Sequence, residues 1–203
     1  MTRAELCAAF SDRIPGVQDV TGEYAVLVPL IEGPAGWELL FEVRAATLRR
    51  QPGEVCFPGG RMEGEESAVA CALRETEEEL GIHAAAVEVV AELDVLLHQS
   101  GFLLHPVLGV VDAAAAEQLK LQSAEVAETF RVPLDFFRQN APLCPSYPLE
   151  PRPGPDFPYE AIGFPQGYPF RAGRVEVPIY RWADKAIWGI TGRIVRHLVE
   201  VLG

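Results

Sequence analysis

The sequence predicts a single α/β domain, and three observations carry that expectation. Apolar runs of strand length recur through most of the chain, a Glu-rich helix interrupts them at 67–80, and a second amphipathic helix closes the chain at 186–202. At 203 residues the chain is long enough for one substantial core but offers little room for a second, so the domain is taken as 1–203. Apolar residues make up 49% and charged residues 23%, proportions of a folded globular chain rather than a disordered one.

Residues 4–13 read as a short N-terminal helix stopped by Pro15 and Gly16. Two β-like runs, 24–31 and 37–43, flank the turn Gly33-Pro34-Ala35-Gly36, a hairpin whose polar face is expected to hold Glu38 and Glu42. The helix at 67–80 contains neither Pro nor Gly and stops at Gly81. Its Val69, Ala72, Leu73, Thr76 and Leu80 recur at helical spacing and form one inward stripe. Residues 85–97, 103–111 and 125–132 read as further strands, 112–123 as loop or helix, and 133–137 as the start of a short helix.

Nine of the seventeen prolines lie between Pro142 and Pro169, interleaved with Tyr147, Phe157, Tyr159, Phe164 and Tyr168. No central strand or long helix survives such spacing, so 142–169 is a Pro-rich aromatic loop insertion, expected over the site or at an oligomer interface. Residues 175–182 form a last strand. Ile187, Ile190, Ile194, Leu198 and Val201 then share the inward face of the closing helix, where Trp188 is expected to pack. His98 and His105 have no partner motif beside them and read as structural or loop residues.

Chemistry concentrates on the first helix. At about 100° per residue, Glu75, Glu78 and Glu79 fall in one sector beside the apolar stripe. Like charges at this spacing cost about 0.2–0.5 kcal/mol per pair unless cations sit against them. A solvated face is one reading of the cluster; a site for a hard divalent cation, which takes oxygen ligands together with substrate phosphates, is the other.

The surrounding spacing favours the cation. Gly60, Glu66, Arg74, Glu75, Glu78, Glu79, Gly81 and Ile82 fit G-x5-E-x7-R-E-U-x-E-E-x-G-U, where U is bulky and apolar and Thr76 departs from one U. The pattern resembles the signature of the Nudix hydrolases. The resemblance implies an α/β/α sandwich with a mixed sheet, and metal-assisted hydrolysis of a diphosphate linked to another moiety. It also implies that Glu75, Glu78, Glu79 and the Gly60 carbonyl hold Mg²⁺ or Mn²⁺, that Arg74 orients a glutamate, and that Glu66 supports the loop–helix junction. Glu125 or Glu128, in a run that also resembles the family, is the candidate for a further metal ligand or general base.

Upstream, residues 39–60 are similar to the L-L-x-T-x-R-S-x-x-L-R-x-x-x-G-x-x-x-F-P-G-G pattern of coenzyme A pyrophosphatases. Arg44, Leu48, Arg49, Gly53, Phe57, Pro58, Gly59 and Gly60 match, while Glu42 replaces Thr and Ala45 replaces Ser. The implied substrate is coenzyme A or a derivative, giving 4′-phosphopantetheine and adenosine 3′,5′-bisphosphate, with Arg44, Arg49, Arg50 and Phe57 as substrate-binding candidates. The alternatives are ADP-ribose, a dinucleotide or a nucleoside triphosphate as substrate, and a nucleotide sensor without turnover.

The net charge of −12 argues against a general nucleic-acid binder, and a polyphosphate must be drawn in by local arginines and bound metal. Cys7, Cys56, Cys71 and Cys144 form no C-x-x-C pair, and Cys56 and Cys71 read as small core residues. Unpaired thiols and the lack of a secretory leader suggest the cytoplasm, and no apolar run reaches the ~20 residues of a membrane span. The expected partner is a small-molecule diphosphate, with a homodimer as one option.

Overall fold

Why the sheet is mixed follows from where the first hairpin sits. In the computed structural model, which describes residues 1–203, the strands are β1 (Gly22–Gly33), β2 (Gly36–Arg44), β3 (Val55–Cys56), β4 (Gly59–Arg61), β5 (Val87–Glu92), β6 (Leu96–Leu97), β7 (Phe102–Val111) and β8 (Val126–Pro133). β1 and β2 pair antiparallel through Gly33 and Gly36, as the turn residues predict. On its other side β1 runs parallel to β7, from Gly22 beside Phe102 to Ile31 beside Val111. The sheet order is β3-β2-β1-β7-β5, with β4, β6 and β8 added to β1, β7 and β2.

Both faces of this sheet are covered. Ala25, Leu27, Ile31 and Leu40 pack with Ala68, Cys71, Ala72 and Leu80 of α2 (Ala68–Leu80). Val28, Leu30, Leu39 and Phe41 face the opposite way. There they meet Leu134 and Phe137 of α4 (Leu134–Gln139) and Ile194, Val195 and Leu198 of α5 (Gly189–Leu202). The alternation along β1 and β2 therefore separates two apolar layers instead of an apolar from a solvated one. The result is the α/β/α sandwich that the resemblance implies.

Several elements differ from the sequence expectation. α1 (Arg3–Phe10) carries a Thr2–Glu5 capping box but buries no residue, so it lies off the core. Between α2 and β5 there is only a 3₁₀ turn, Ala84–Ala86, and 112–123 contains the single helical turn α3 (Ala113–Ala116). β5 is an edge strand with Val89 and Val90 exposed.

The run at 175–182 is two strands. β10 (Gly173–Glu176) pairs with β9 (Ser146–Leu149) at the start of the insertion, while β11 (Ile179–Trp182) pairs with β12 (Lys185–Trp188). That second hairpin takes residues assigned above to the closing helix. α5 begins only at Gly189, whose φ of +62° suits a residue without a Cβ. Ile187 stays buried, but on a strand, and Trp188 is 41% exposed instead of packed. In the insertion, the rings of Phe157, Tyr159, Phe164, Tyr168 and Phe170 pack on one another, with centroids 4.8–5.5 Å apart.

The inward face of α5 sets a testable difference in stability. Leu198 is 1% exposed and Val201, expected on the same face, is 63% exposed. Leu198→Ala is expected to cost about 2–5 kcal/mol in urea unfolding. Val201→Ala should stay within about 0.5 kcal/mol of the parent; equal losses would contradict this packing of α5.

Candidate active site

The site is built where the acidic side of α2 presses on β4. Ser67 caps the helix by accepting from the Ala70 N–H at 3.1 Å, and Gly81 ends it with its own N–H on the Glu77 carbonyl at 3.0 Å. With Ala72, Thr76 and Leu80 in the core, the helical period turns Glu75 and Glu79 toward the Gly59–Gly60 backbone and leaves Glu78 outward. Gly60 allows this approach, and Gly59 allows β4 to lie against β1. A Cβ at Gly59 would overlap the Ala25 carbonyl, and one at Gly60 would overlap the Glu75 carboxylate. The Gly59 N–H donates to Glu79 Oε2 at 2.8 Å, and the Gly60 carbonyl lies 3.7 Å from Cys71 Sγ.

Arg74 ties the acidic face together. Its Nη2 and Nε donate to Glu66 at 2.9 and 3.3 Å, and its Nη1 donates to Glu75 Oε1 at 2.8 Å and to Glu78 Oε2 at 3.4 Å. The hydrogen bonds from Arg74 and from the Glu63 N–H hold the Glu66 carboxyl down at about 2. Glu75 nonetheless goes up, because burial outweighs the help from Arg74.

A fourth carboxylate was not expected here. Glu42, assigned from alternation to a polar face, is 1% exposed. It shares with Leu40 and Arg44 the side of β2 turned to α2, and in a sheet covered on both faces that side is interior. Cys56 Sγ donates to Glu42 Oε1 at 3.2 Å, and burial pushes the Cys56 thiol far up, which makes it a packed donor and no nucleophile. Burial also raises Glu42 and Glu79; the charge of Glu42 raises Glu79 further, and Glu75 and Glu125 add to both. Two buried side-chain polar atoms in the protein lack any partner, Glu42 Oε2 and Arg44 Nε, and both belong to this cluster. Unsatisfied buried groups are rare in folded proteins and call for a functional explanation.

The cluster forms one wall of a cleft of about 600 Å³. Of the residues singled out in the sequence, Arg44, Arg50, Phe57, Gly60, Glu75, Glu79 and Glu125 line it. Arg74 and Glu78 stand behind or beside the wall, and Arg49 is exposed away from it, in a turn where the Leu48 N–H binds the Ala45 carbonyl. Phe57 is a core ring stacked on Phe41 at 4.8 Å that reaches the cleft with its edge. Glu128 is paired with Lys185, which leaves Glu125 as the acid of that pair facing the cluster.

Sequence reasoning missed Arg61, Arg193, Trp188 and His98 on the same cleft. His98 stacks on Phe102 at 4.4 Å with Nδ1 2.7 Å from Ser100 Oγ, and burial followed by the charge of Arg193 lowers its pKa. His105 instead pairs with Glu23 at 3.0 Å outside the cleft. Of the aromatic insertion only Tyr147 reaches the wall, where its hydroxyl accepts from Gln99 Nε2 at 3.1 Å.

Oxygen donors dominate the acidic wall, and one Arg74 faces more carboxylate than it can neutralise. That donor set and the orphaned Glu42 oxygen suit a hard divalent cation. As folded, no three acidic or histidine side chains converge on one point. Glu79 is turned onto the Gly59 N–H and Arg74 holds Glu75 and Glu78, so a cation competes with these groups for its ligands.

Peroxisomal coenzyme A diphosphatase NUDT7 of Mus musculus is 42% identical over 118 residues, 58% of this chain and 49% of that protein. Nudix hydrolase 3 of Caenorhabditis elegans is 37% identical over 133 residues, 64% and 55% of the two chains. An uncharacterized Nudix hydrolase, NudL of Pectobacterium atrosepticum, is 32% identical over 179 residues, 86% and 79%. The matched region spans about half the length of the mouse and nematode relatives. Residues 23–146, which hold β1, α2, β8 and every carboxylate of the cleft wall named above, match the NUDIX domain, and the chain belongs to the Nudix family.

Proposed function

We propose that this protein is a metal-dependent pyrophosphohydrolase acting on coenzyme A or its derivatives. The observation that supports this most directly is one cleft lined by Glu75, Glu79 and Glu125 beside Arg44, Arg50, Arg61 and Arg193 in a chain of charge −12. A volume of about 600 Å³ is that of a small-molecule site. The mouse relative named as a coenzyme A diphosphatase directs the choice of substrate within the family.

In this reading Glu75, Glu78, Glu79 and the Gly60 carbonyl would hold Mg²⁺ or Mn²⁺. The cation supplies charge neutralisation at the diphosphate and makes an attacking water more acidic. Arg44 and Arg50 bind non-bridging phosphate oxygens, for which a guanidinium fork is well shaped. Arg74 keeps Glu75 oriented from behind, and Glu125, at the open edge of the cluster, takes the proton of the attacking water. In-line displacement at phosphorus would release 4′-phosphopantetheine and adenosine 3′,5′-bisphosphate. A cytoplasmic setting fits four cysteines that are all unpaired.

Incubation with coenzyme A, ADP-ribose, a dinucleoside polyphosphate and nucleoside triphosphates, each with Mg²⁺ or Mn²⁺, tests the substrate. Coenzyme A should give that product pair fastest. Rapid ADP-ribose cleavage with intact coenzyme A would replace the substrate and keep the chemistry.

The raised carboxyls give a second test. Glu42 and Glu79 bind their protons more tightly in the folded than in the unfolded chain, so the stability they contribute is full below the ordinary glutamate value of about 4.3 and is lost as pH rises toward about 7 for Glu42 and about 9 for Glu79. With chelator present, Glu79→Gln should therefore raise the melting temperature at pH 8 and leave it nearly unchanged at pH 4. The same variant should lose turnover and most of the Mn²⁺-induced thermal shift. A full Mn²⁺ shift in Glu79→Gln would remove Glu79 from the ligand set.

A further inference from the structure

The cleft does not end at the carboxylates. Past His98 and Gln99 it opens into a second hollow of about 550 Å³, with Val175, Glu176 and Arg193 common to both. Arg174, Arg193 and Arg196 line this hollow, three of only seventeen basic residues in a chain with twenty-nine acidic ones. Gathering like charges costs free energy unless an anion lies among them.

The three arginines are not equally occupied. Arg196 is engaged by Glu176 at 3.3 Å and by Glu200 at 3.7 Å. Arg174 donates its Nε to Ser146 Oγ at 2.6 Å, which leaves its terminal nitrogens free. Arg193, in the second turn of α5, has neither an ion pair nor a hydrogen bond, and burial together with Arg196 works against its charge. The acids on this wall are Asp19 and Glu176, and Glu176 is already held by Arg196. A half-buried guanidinium with five donors and no acceptor thus stands where the two hollows meet.

We infer that this arm, centred on Arg193 with Arg174 beside it, binds a phosphomonoester that the substrate carries in addition to its diphosphate. The preferred substrates are then nucleotide diphosphates with a further phosphate on the ribose. This rests on the coenzyme A reading above, since coenzyme A has such a group and ADP-ribose and dephospho-coenzyme A do not. It places discrimination on α5 and gives no part in it to Arg49, which faces solvent.

Steady-state hydrolysis of coenzyme A and dephospho-coenzyme A by the full chain tests the inference. The wild type should prefer coenzyme A. Arg193→Ala should lower kcat/KM for coenzyme A by about tenfold or more while leaving dephospho-coenzyme A within about twofold, the loss of a charge-assisted hydrogen bond confined to one substrate. Arg193→Lys should recover part of the preference, and Arg49→Ala should keep all of it. Equal losses on both substrates, or none on either, would overturn the arm. Should the wild type cleave neither compound, the coenzyme A reading fails separately. Calorimetry with adenosine 3′,5′-bisphosphate and adenosine 5′-monophosphate then decides: tighter binding of the bisphosphate that Arg193→Ala abolishes upholds the arm, and equal affinity or no binding overturns it.

Discussion

The close approach of α2 to the backbone of β4 is the constraint on which the site depends. Two adjacent positions without a side chain serve it: a Cβ at Gly60 would meet the Glu75 carboxylate of α2, and one at Gly59 would meet the Ala25 carbonyl of β1, on which β4 lies. Once the helix is that near, Glu79 is drawn into the interior and can keep only one strong partner, the Gly59 N–H. Glu42 arrives at the same place from β2, and the sheet leaves its second oxygen without a donor. Two carboxyls that burial drives toward the protonated form are thereby stored behind a wall open to solvent. Such an arrangement is unfavourable unless positive charge lies against it, which is the electrostatic profile of a cation site.

Arg74 explains how the strain is borne meanwhile. It is not among the residues lining the cleft and pairs with Glu66, Glu75 and Glu78 together, so the outward part of the cluster is neutralised from outside the cleft. Glu66 in turn accepts from the Glu63 N–H at 2.6 Å, fixing the chain just before α2. The same guanidinium therefore links the loop ahead of the helix to the carboxylates on it, and the spacing of Glu66 and Arg74 in the sequence is the trace of that link.

What could be read from sequence was what local periodicity and caps determine. α2 ran from Ser67 to Gly81 as its cap residues and stripe required, and its glutamates were placed by helical geometry alone. The hairpin of β1 and β2 followed from its glycine turn. Glu42 was misplaced because alternation identifies two faces of a strand but not what covers them, and here α2 covers the one expected to be solvated. Trp188 and the start of α5 were misplaced because isoleucines at 187, 190 and 194 fit a helix equally well whether or not the first belongs to a strand. Arg61 and Arg193 carry no local signal at all. They meet only because β1 pairs with β4 and because Thr191 of α5 donates to the Val55 carbonyl at 3.0 Å, contacts between segments far apart in the chain.

Net charge and local charge act over different ranges, which reconciles an acidic protein with a cleft that gathers arginines. At physiological ionic strength the field of exposed charges decays over about 8 Å, so most of the −12 is screened from a ligand already in the cleft. Inside, the walls are partly apolar, with Tyr24, Phe102, Trp188 and Ile190 among them, and the nearby arginines act through less water. Arg44, Arg50 and Arg61 flank the carboxylates, whereas Arg193 stands toward the second hollow. A ligand with negative charge at only one point can satisfy one of these groups, and a ligand with two separated anionic groups can satisfy both. The separation of cations along the cleft thus suits an extended polyanion.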